Sequence, residues 1–248
     1  MTAAEVYDKI GTDYASLRRP DPRWIAHIHQ ALEGQRTLIN VGAGAGSYEP
    51  KYMSVFAVEP SWTMIGQRPS SAAPVVCGVA ERLPFSDDAF DVALAVFTVH
   101  HWSDPGAGLA EMRRVARKQV LVTWDPGVFA KFWLVRDYLP EVAERDAQLA
   151  ALATVLTHLG PATIEPLPVP DDCTDGFLGA YWKRPHAYLD ATVRGAISGL
   201  ALLDRDVVSA AMERLKFDLV NGRWHARYSE LTDLREIDLG YRLVVAER

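Results

Sequence analysis

The stretch TLINVGAGAGSYE, residues 37–49, closes a short apolar run with three alternating glycines, Gly42, Gly44 and Gly46. Glycine has no Cβ, permits positive φ, and lets a ligand lie against main-chain N–H groups. The spacing is Gly-x-Gly-x-Gly, which is not the Gly-x-Gly-x-x-Gly of a dinucleotide fingerprint. Gly46 is followed by Ser47 and Tyr48 rather than by the Lys-Ser/Thr of a phosphate loop, so the phosphate reading fails. One βα unit later, a second apolar run ends in Val-Glu-Pro, with Glu59 at its tip. An acid there can accept both hydroxyls of a ribose, in nicotinamide enzymes and in other nucleoside-binding enzymes alike. Its plainer alternative is a helix cap or a solvent-facing carboxylate. His100 and His101 follow a third apolar run, and histidine is the usual side chain for moving protons near neutral pH. His101 is preferred over His100 as a base. The alternative is that one histidine caps the next helix while the other packs beside Trp102.

These residues need elements to hold them. Five short, valine-rich runs read as buried parallel strands: Thr37–Val41, Val55–Glu59, Val75–Val79, Asp91–Phe97 and Gln119–Thr123. Helix-length segments alternate with them, among them Trp24–Leu32 before the first and Pro105–Val115 before the fifth. Alternation over residues 1–125 predicts an open, doubly wound α/β sheet, and ligands bind such sheets beyond the carboxyl ends of the strands. After TWDPG (123–127) the pattern turns helical. Residues 162–169 read as a further core strand, 171 to about 219 as helical again, and 240–247 as a closing strand. The expected organisation is a core of residues 1–126 plus about 220–248, with a helical, substrate-covering insertion over about 127–219.

Composition narrows the function classes. The chain has 248 residues, 49% of them hydrophobic, with 26 basic against 32 acidic side chains and a net charge of −6. No long basic run marks a nucleic-acid footprint. Cys77 and Cys173 lie far apart without metal-ligand spacing, so neither a disulfide framework nor a metal site is expected. The start, MTAAEVYDKIG, shows no basic n-region ahead of an apolar stretch, and no run approaches the roughly 20 residues of a membrane span. A cytoplasmic protein is expected, and its oligomeric state is not legible.

The block GVAERLPFSDDAFDVALAVFTVHHWSD, residues 78–104, makes a resemblance specific. A glycine loop after strand one, an acid after strand two, AERLPF, FDVALAV and HHW stand in that order. In this the chain resembles the class I S-adenosylmethionine-dependent methyltransferases, and within them the small-molecule, type 11-like group. The likeness covers about residues 5–125 and the final strand. It implies a Rossmann-like methyltransferase sheet of seven strands, the last antiparallel, with a helical cap. It also implies S-adenosylmethionine as cofactor and S-adenosylhomocysteine as product. By the same resemblance Gly42, Ala43 and Gly44 pass beneath the methionine part and Glu59 takes the ribose hydroxyls. Pro60 and Met64 flank the adenine, with Ala80 and Glu81 at its other edge. Val96 offers a carbonyl to the cofactor's amino group, and Phe97 lines the site. The lead-in YDKIGTDYASLRRP (7–20) supplies Tyr14 and Arg18 as the family's Tyr-x-x-x-Arg pair, the arginine holding the methionine carboxylate through its fork of donors. Arg19 is the reserve for that role.

The chain also departs from the family. Asn40 replaces an acid before the glycine loop, Val79 replaces an aspartate before Ala80, and VARKQV (115–120) replaces the Leu-Lys-Pro-Gly-Gly turn. A methyl on a sulfonium is already activated, so holding the acceptor at attack distance supplies much of the acceleration. A base is needed only for an acceptor protonated in its ground state. The partner expected is a small-molecule methyl acceptor, with neither nucleic acid nor membrane. Aromatic residues in FLGAYWKRPHAYLD (177–190), with Lys183, Arg184 and His186, form either a substrate wall or ordinary core and a solvated face. Two other readings remain: a non-catalytic cofactor-binding or regulatory protein of the same fold, and a nicotinamide-dependent oxidoreductase.

Overall fold

The computed structural model describes residues 18–149 and 151–248; Tyr14 lies outside the described residues. In the main sheet, β1 (Thr37–Val41), β2 (Ser54–Glu59), β3 (Val75–Cys77), β4 (Phe90–Val96) and β5 (Ala116–Trp124) run parallel. They are joined by β6 (Ala162–Pro166) and, past the separate two-stranded ribbon of β7 (Val169–Pro170) and β8 (Glu236–Ile237), by β9 (Tyr241–Glu247). The strand order is β3-β2-β1-β4-β5-β9-β6, with β9 antiparallel to both β5 and β6. Seven strands with the last one reversed is the sheet that the resemblance implies.

Side chains alternate between the faces of a strand, and the sheet buries both. Leu38, Val92, Leu94, Val120 and Val122 point into one core with Trp24 and Ile28 of α1 (Pro22–Ala31). Ile39, Ala93, Ala95 and Leu121 point into the other. That second core is closed by Leu109 and Met112 of α3 (Pro105–Val115) and by Val155 and Leu159 of α7 (Leu152–Leu159); α2 (Trp62–Gly66) follows β2. Helix α3 starts where Asp104 accepts from Ala107 N and Pro105 takes the first helical position. It then passes into β5 with no loop, because Ala116 is already extended (φ −141°, ψ 148°). That explains how the chain dispenses with a glycine turn there.

Helices α4 (Pro126–Phe129), α5 (Trp133–Asp137) and α6 (Pro140–Asp146) follow β5. The stretch expected to be helical from 171 to about 219 is so only in part. Residues 178–181 and 185–189 form 3-10 turns, α8 (Ala191–Gly195) and α9 (Ser198–Ala201) are single turns, and α10 (Arg205–Val220) is the one long helix of the stretch. Gly176, Gly179, Pro185, Gly195 and Gly199 punctuate this segment and prevent a continuous backbone ladder. Helix α11 (Arg223–Arg227) leads back to β8 and β9. Among the described residues, no helix is long and apolar enough to cross a membrane.

Candidate active site

Strands β1 and β4 are neighbours whose connections run to opposite sides of the sheet, so a crevice opens beyond their carboxyl ends. The glycine loop enters it from β1. Gly42 N and Ala43 N both donate to Val58 O, at 2.8 and 3.1 Å, which ties the loop to β2. Gly42 has φ +69°, and a Cβ built on it would lie 1.9 Å from Thr98 Oγ1. Only glycine lets β1's loop pass this close to the residues after β4. Gly44 N donates to Glu59 Oε2 at 2.7 Å and Ser61 N to Glu59 Oε1 at 2.9 Å. Two main-chain amides thus orient a carboxylate that is only 5% exposed.

Beneath the loop, Asn40 Nδ2 donates to Glu49 Oε1 at 3.1 Å. Arg68 Nη2 donates to both Glu49 oxygens at 2.7 and 2.8 Å, and its Nη1 donates to Gly44 O at 3.2 Å. The family's acid before the loop is absent, but a buried acid from the loop itself, Glu49, lies against the same position. Its charge is matched by Arg68.

Beyond β4, Phe97 takes a left-handed backbone (φ +52°), a conformation that costs a bulky residue about 1–3 kcal/mol. Its N–H still donates to Val122 O at 3.0 Å, while its ring meets Trp24, Phe177 and Tyr241 at centroid distances of 5.5–5.9 Å. The next turn, Val99–His101, places two imidazoles 3.8 Å apart, with His100 edge-on to Trp124. Burial, then the neighbouring His101 and Arg145, hold His100 well below the usual histidine range. Burial and Arg145 lower His101 to about 4. Both rings are therefore neutral at physiological pH.

Two cavities meet here. The larger, of about 790 Å³, is lined by Arg18, Gly42, Ala43, Gly44, Glu59, Pro60, Met64, Ala80, Glu81, Val96, Phe97, His100 and His101. The fold thus brings to one place every described residue singled out from the sequence for the cofactor or the base except the reserve Arg19, which does not line the cavity. Asn40, Tyr48, Val79, Thr98, Trp102 and Leu202 line it too. Thr98 and Leu202 carry no local signal of that. Burial pushes the Glu81 carboxyl up, but hydrogen bonds from Asp104 N–H and Ser103 bring it below the ordinary carboxylate range. Met64 and Ala80 are buried apolar walls.

The smaller cavity, of about 160 Å³, shares Arg18, Phe97, His100, His101 and Leu202 with the first. Its remaining walls are largely apolar, including Trp124, Phe129, Phe177, Leu178, Ile197 and Tyr241. Arg145 and Asp146 add an ion pair at 2.9 Å, and Arg145 Nη1 donates to Gly199 O at 2.6 Å. Burial raises the Asp146 carboxyl against the pull of Arg145. Neither residue was legible from spacing.

The aromatic segment divides differently from either simple reading. Phe177 and Leu178 line the smaller cavity, whereas Trp133 and Trp182 are buried in the core, joined by Trp133 Nε1 donating to Trp182 O at 2.8 Å. Lys183 pairs with Asp171, and Arg184 donates to the carbonyls of Cys173 and Ala180; neither lines either cavity. Among the described residues, no three His, Cys, Asp or Glu side chains are grouped as a metal site needs.

The donor set suits the cofactor that the resemblance implies. The larger cavity offers one arginine for a carboxylate, an oriented acid for ribose hydroxyls and apolar walls for a base. Its volume is in the range that holds a ligand of that size.

Comparison with known proteins agrees. Residues 39–123 match the family model described as a methyltransferase domain. Demethylmenaquinone methyltransferase of Renibacterium salmoninarum is 28% identical over 197 residues, covering 74% of this chain and 78% of that protein. The Escherichia coli protein YafE is 48% identical, but over only 40 residues, 16% of this chain and 19% of that one. A crystal structure from Anabaena variabilis, described as a methyltransferase from an antibiotic biosynthesis pathway, superposes with a TM-score of 0.83 at 32% identity. The match covers 94% of this chain and 99% of that one. A likeness that runs the length of both chains at this identity carries family as well as fold, and the chain belongs to the class I S-adenosylmethionine-dependent methyltransferases.

Proposed function

We propose that the protein methylates a small organic acceptor seated in the smaller cavity. The observation that carries this reading is the junction of the two cavities at Phe97, His100 and His101. Bound S-adenosylmethionine supplies a methyl group already activated on a sulfonium. In this reading Glu59 accepts the ribose hydroxyls and Gly42, Ala43 and Gly44 bare their backbone to the methionine part. Pro60, Met64, Ala80 and Glu81 enclose the adenine, Val96 offers its carbonyl to the amino group, and Arg18 faces the carboxylate. Phe97 and the largely apolar walls exclude water and fix the acceptor on the line of attack. His101, with His100 beside it, stays neutral and offers ring nitrogen to the acceptor's departing proton; a conjugate acid near pH 4 makes it a weak base, so positioning dominates. The naming of a relative as a demethylmenaquinone methyltransferase supports a small organic acceptor. The −6 net charge disfavours a nucleic acid.

The test is S-adenosylhomocysteine release with a panel of small phenols, amines and carboxylates set beside tRNA. Turnover with a small acceptor and none with tRNA is expected. Turnover with tRNA alone refutes the reading. Thermal unfolding with adenosyl compounds and NAD(H) checks the cofactor, because a ligand at a hundred times its dissociation constant adds about 2.7 kcal/mol.

A further inference from the structure

Asp175 lines neither cavity, yet its carboxylate joins three parts of the molecule. Oδ1 accepts from Arg18 Nε at 2.7 Å and from Gly176 N at 2.6 Å, and Oδ2 accepts from Tyr48 Oη at 2.6 Å. The Asp175 side chain is 1% exposed and that of Arg18 11%. Arg18 lines both cavities, Tyr48 belongs to the glycine-loop segment and lines the larger, and Phe177, two residues beyond Asp175, lines the smaller. Burial and the Asp175 charge keep the Tyr48 phenol protonated, so its O–H remains a donor to that carboxylate.

Among the described residues, Arg18 is also the sole arginine or lysine lining the larger cavity, where Glu59 and Glu81 are the carboxylates. Among the described residues, it is the guanidinium that a cofactor with an anionic amino-acid end has to meet. An arginine side chain carries about 2 kcal/mol of rotamer entropy, and fixing it beforehand lowers the cost of binding. We propose that Asp175 is the positioning residue that aims Arg18 at the carboxylate of the cofactor, held in turn by Tyr48 from the glycine-loop side. This rests on the cofactor placement proposed above. Two effects of Asp175 oppose each other: its charge partly cancels that of Arg18, while its hydrogen bond holds the guanidinium in place. The proposal requires geometry to win.

The experiment compares two ligands by calorimetry. S-adenosylhomocysteine has the amino-acid end; 5′-methylthioadenosine shares the nucleoside and lacks it. Asp175→Asn should weaken S-adenosylhomocysteine by about tenfold, the scale of one charge-assisted hydrogen bond, and leave 5′-methylthioadenosine within about twofold. In an Arg18→Ala background the same substitution should have no further effect on either ligand. Tyr48→Phe, which removes one donor to Asp175 and keeps its charge, should shift S-adenosylhomocysteine the same way by less, and serves if Asp175→Asn fails to fold. Equal weakening of both ligands, or tighter S-adenosylhomocysteine binding, overturns the proposal alone. If the unaltered protein binds neither ligand, the cofactor placement falls and the proposal with it.

Discussion

Gly42→Ala tests how closely the two halves of the sheet approach at the cofactor crevice. The new Cβ would lie 1.9 Å from Thr98 Oγ1, 2.7 Å from Thr98 Cβ and 3.0 Å from Thr98 Cγ2. The loop cannot retreat, because Gly42 N and Ala43 N are both bonded to Val58 O. Thr98 cannot turn away without disturbing its Oγ1, which accepts from Trp102 Nε1 at 3.1 Å. Three costs follow. Left-handed backbone at alanine costs roughly 1–2 kcal/mol. Overpacking adds about 1–3 kcal/mol. Loss of the Trp102 bond adds about 1 kcal/mol. We expect a destabilisation of about 3–6 kcal/mol in urea unfolding, together with loss of S-adenosylhomocysteine binding. Adding Thr98→Ala removes the Oγ1 and Cγ2 clashes and leaves the Cβ contact and the φ strain, so the double variant should recover about 1–2 kcal/mol. Gly42→Ala within about 0.5 kcal/mol of the unaltered protein, or a Thr98→Ala that adds its own cost without recovery, would refute the argument.

Three further outcomes are expected. Glu59→Gln cannot accept from both Gly44 N and Ser61 N, so S-adenosylhomocysteine affinity should fall by about 2 kcal/mol in calorimetry; a change within twofold would remove Glu59 from the ribose. Arg68→Met leaves the Glu49 carboxylate buried without its cation and frees Gly44 O, which should cost about 3–5 kcal/mol in thermal or urea unfolding. The third concerns pH. His101 is lowered in the folded state from 6.5 to about 4, so between those values the unfolded chain binds more protons. Its contribution is then whole above pH 6.5 and is lost as pH falls toward 4, by up to about 3 kcal/mol. The lowered His100 acts with the same sign. His101→Gln should flatten the acid side of the stability profile, and an unchanged profile would show that burial does not hold the imidazole neutral.

Much of the site was legible because its parts are local. The apolar runs that predict β1 to β5 lie within a few residues of the observed strands, and Asp104-Pro105 marks the start of α3. Glycines at the end of one strand and an acid at the end of the next report positions in a parallel sheet, so Gly42, Gly44 and Glu59 could be named before any contact was known. The same logic failed over 171–204. There, alanine, leucine and aromatic residues suggest helices, but glycines and a proline break the backbone into single turns. Nor could it divide the aromatic segment between wall and core: Trp182 fills the core and donates to Val169 O and Pro170 O, while Phe177 in the same segment reaches a cavity wall.

By itself, the sequence determined what is encoded over a few residues: strand and helix periodicity, capping, the bare glycine loop, the acid beyond β2 and the order of motifs that marks the family. Only the tertiary structure decided which distant side chains meet. Arg18 and Asp175 are 157 residues apart, and Tyr48 reaches the same carboxylate from 127 residues away. Arg145 and Asp146 come from a helix beyond the core motifs to stand at the histidine pair. The physical reason is that backbone preference is set by neighbours in the chain, whereas burial, protonation and hydrogen-bond partnership are set by neighbours in space. Those neighbours exist only once the sheet has brought the ends of β1 and β4 together.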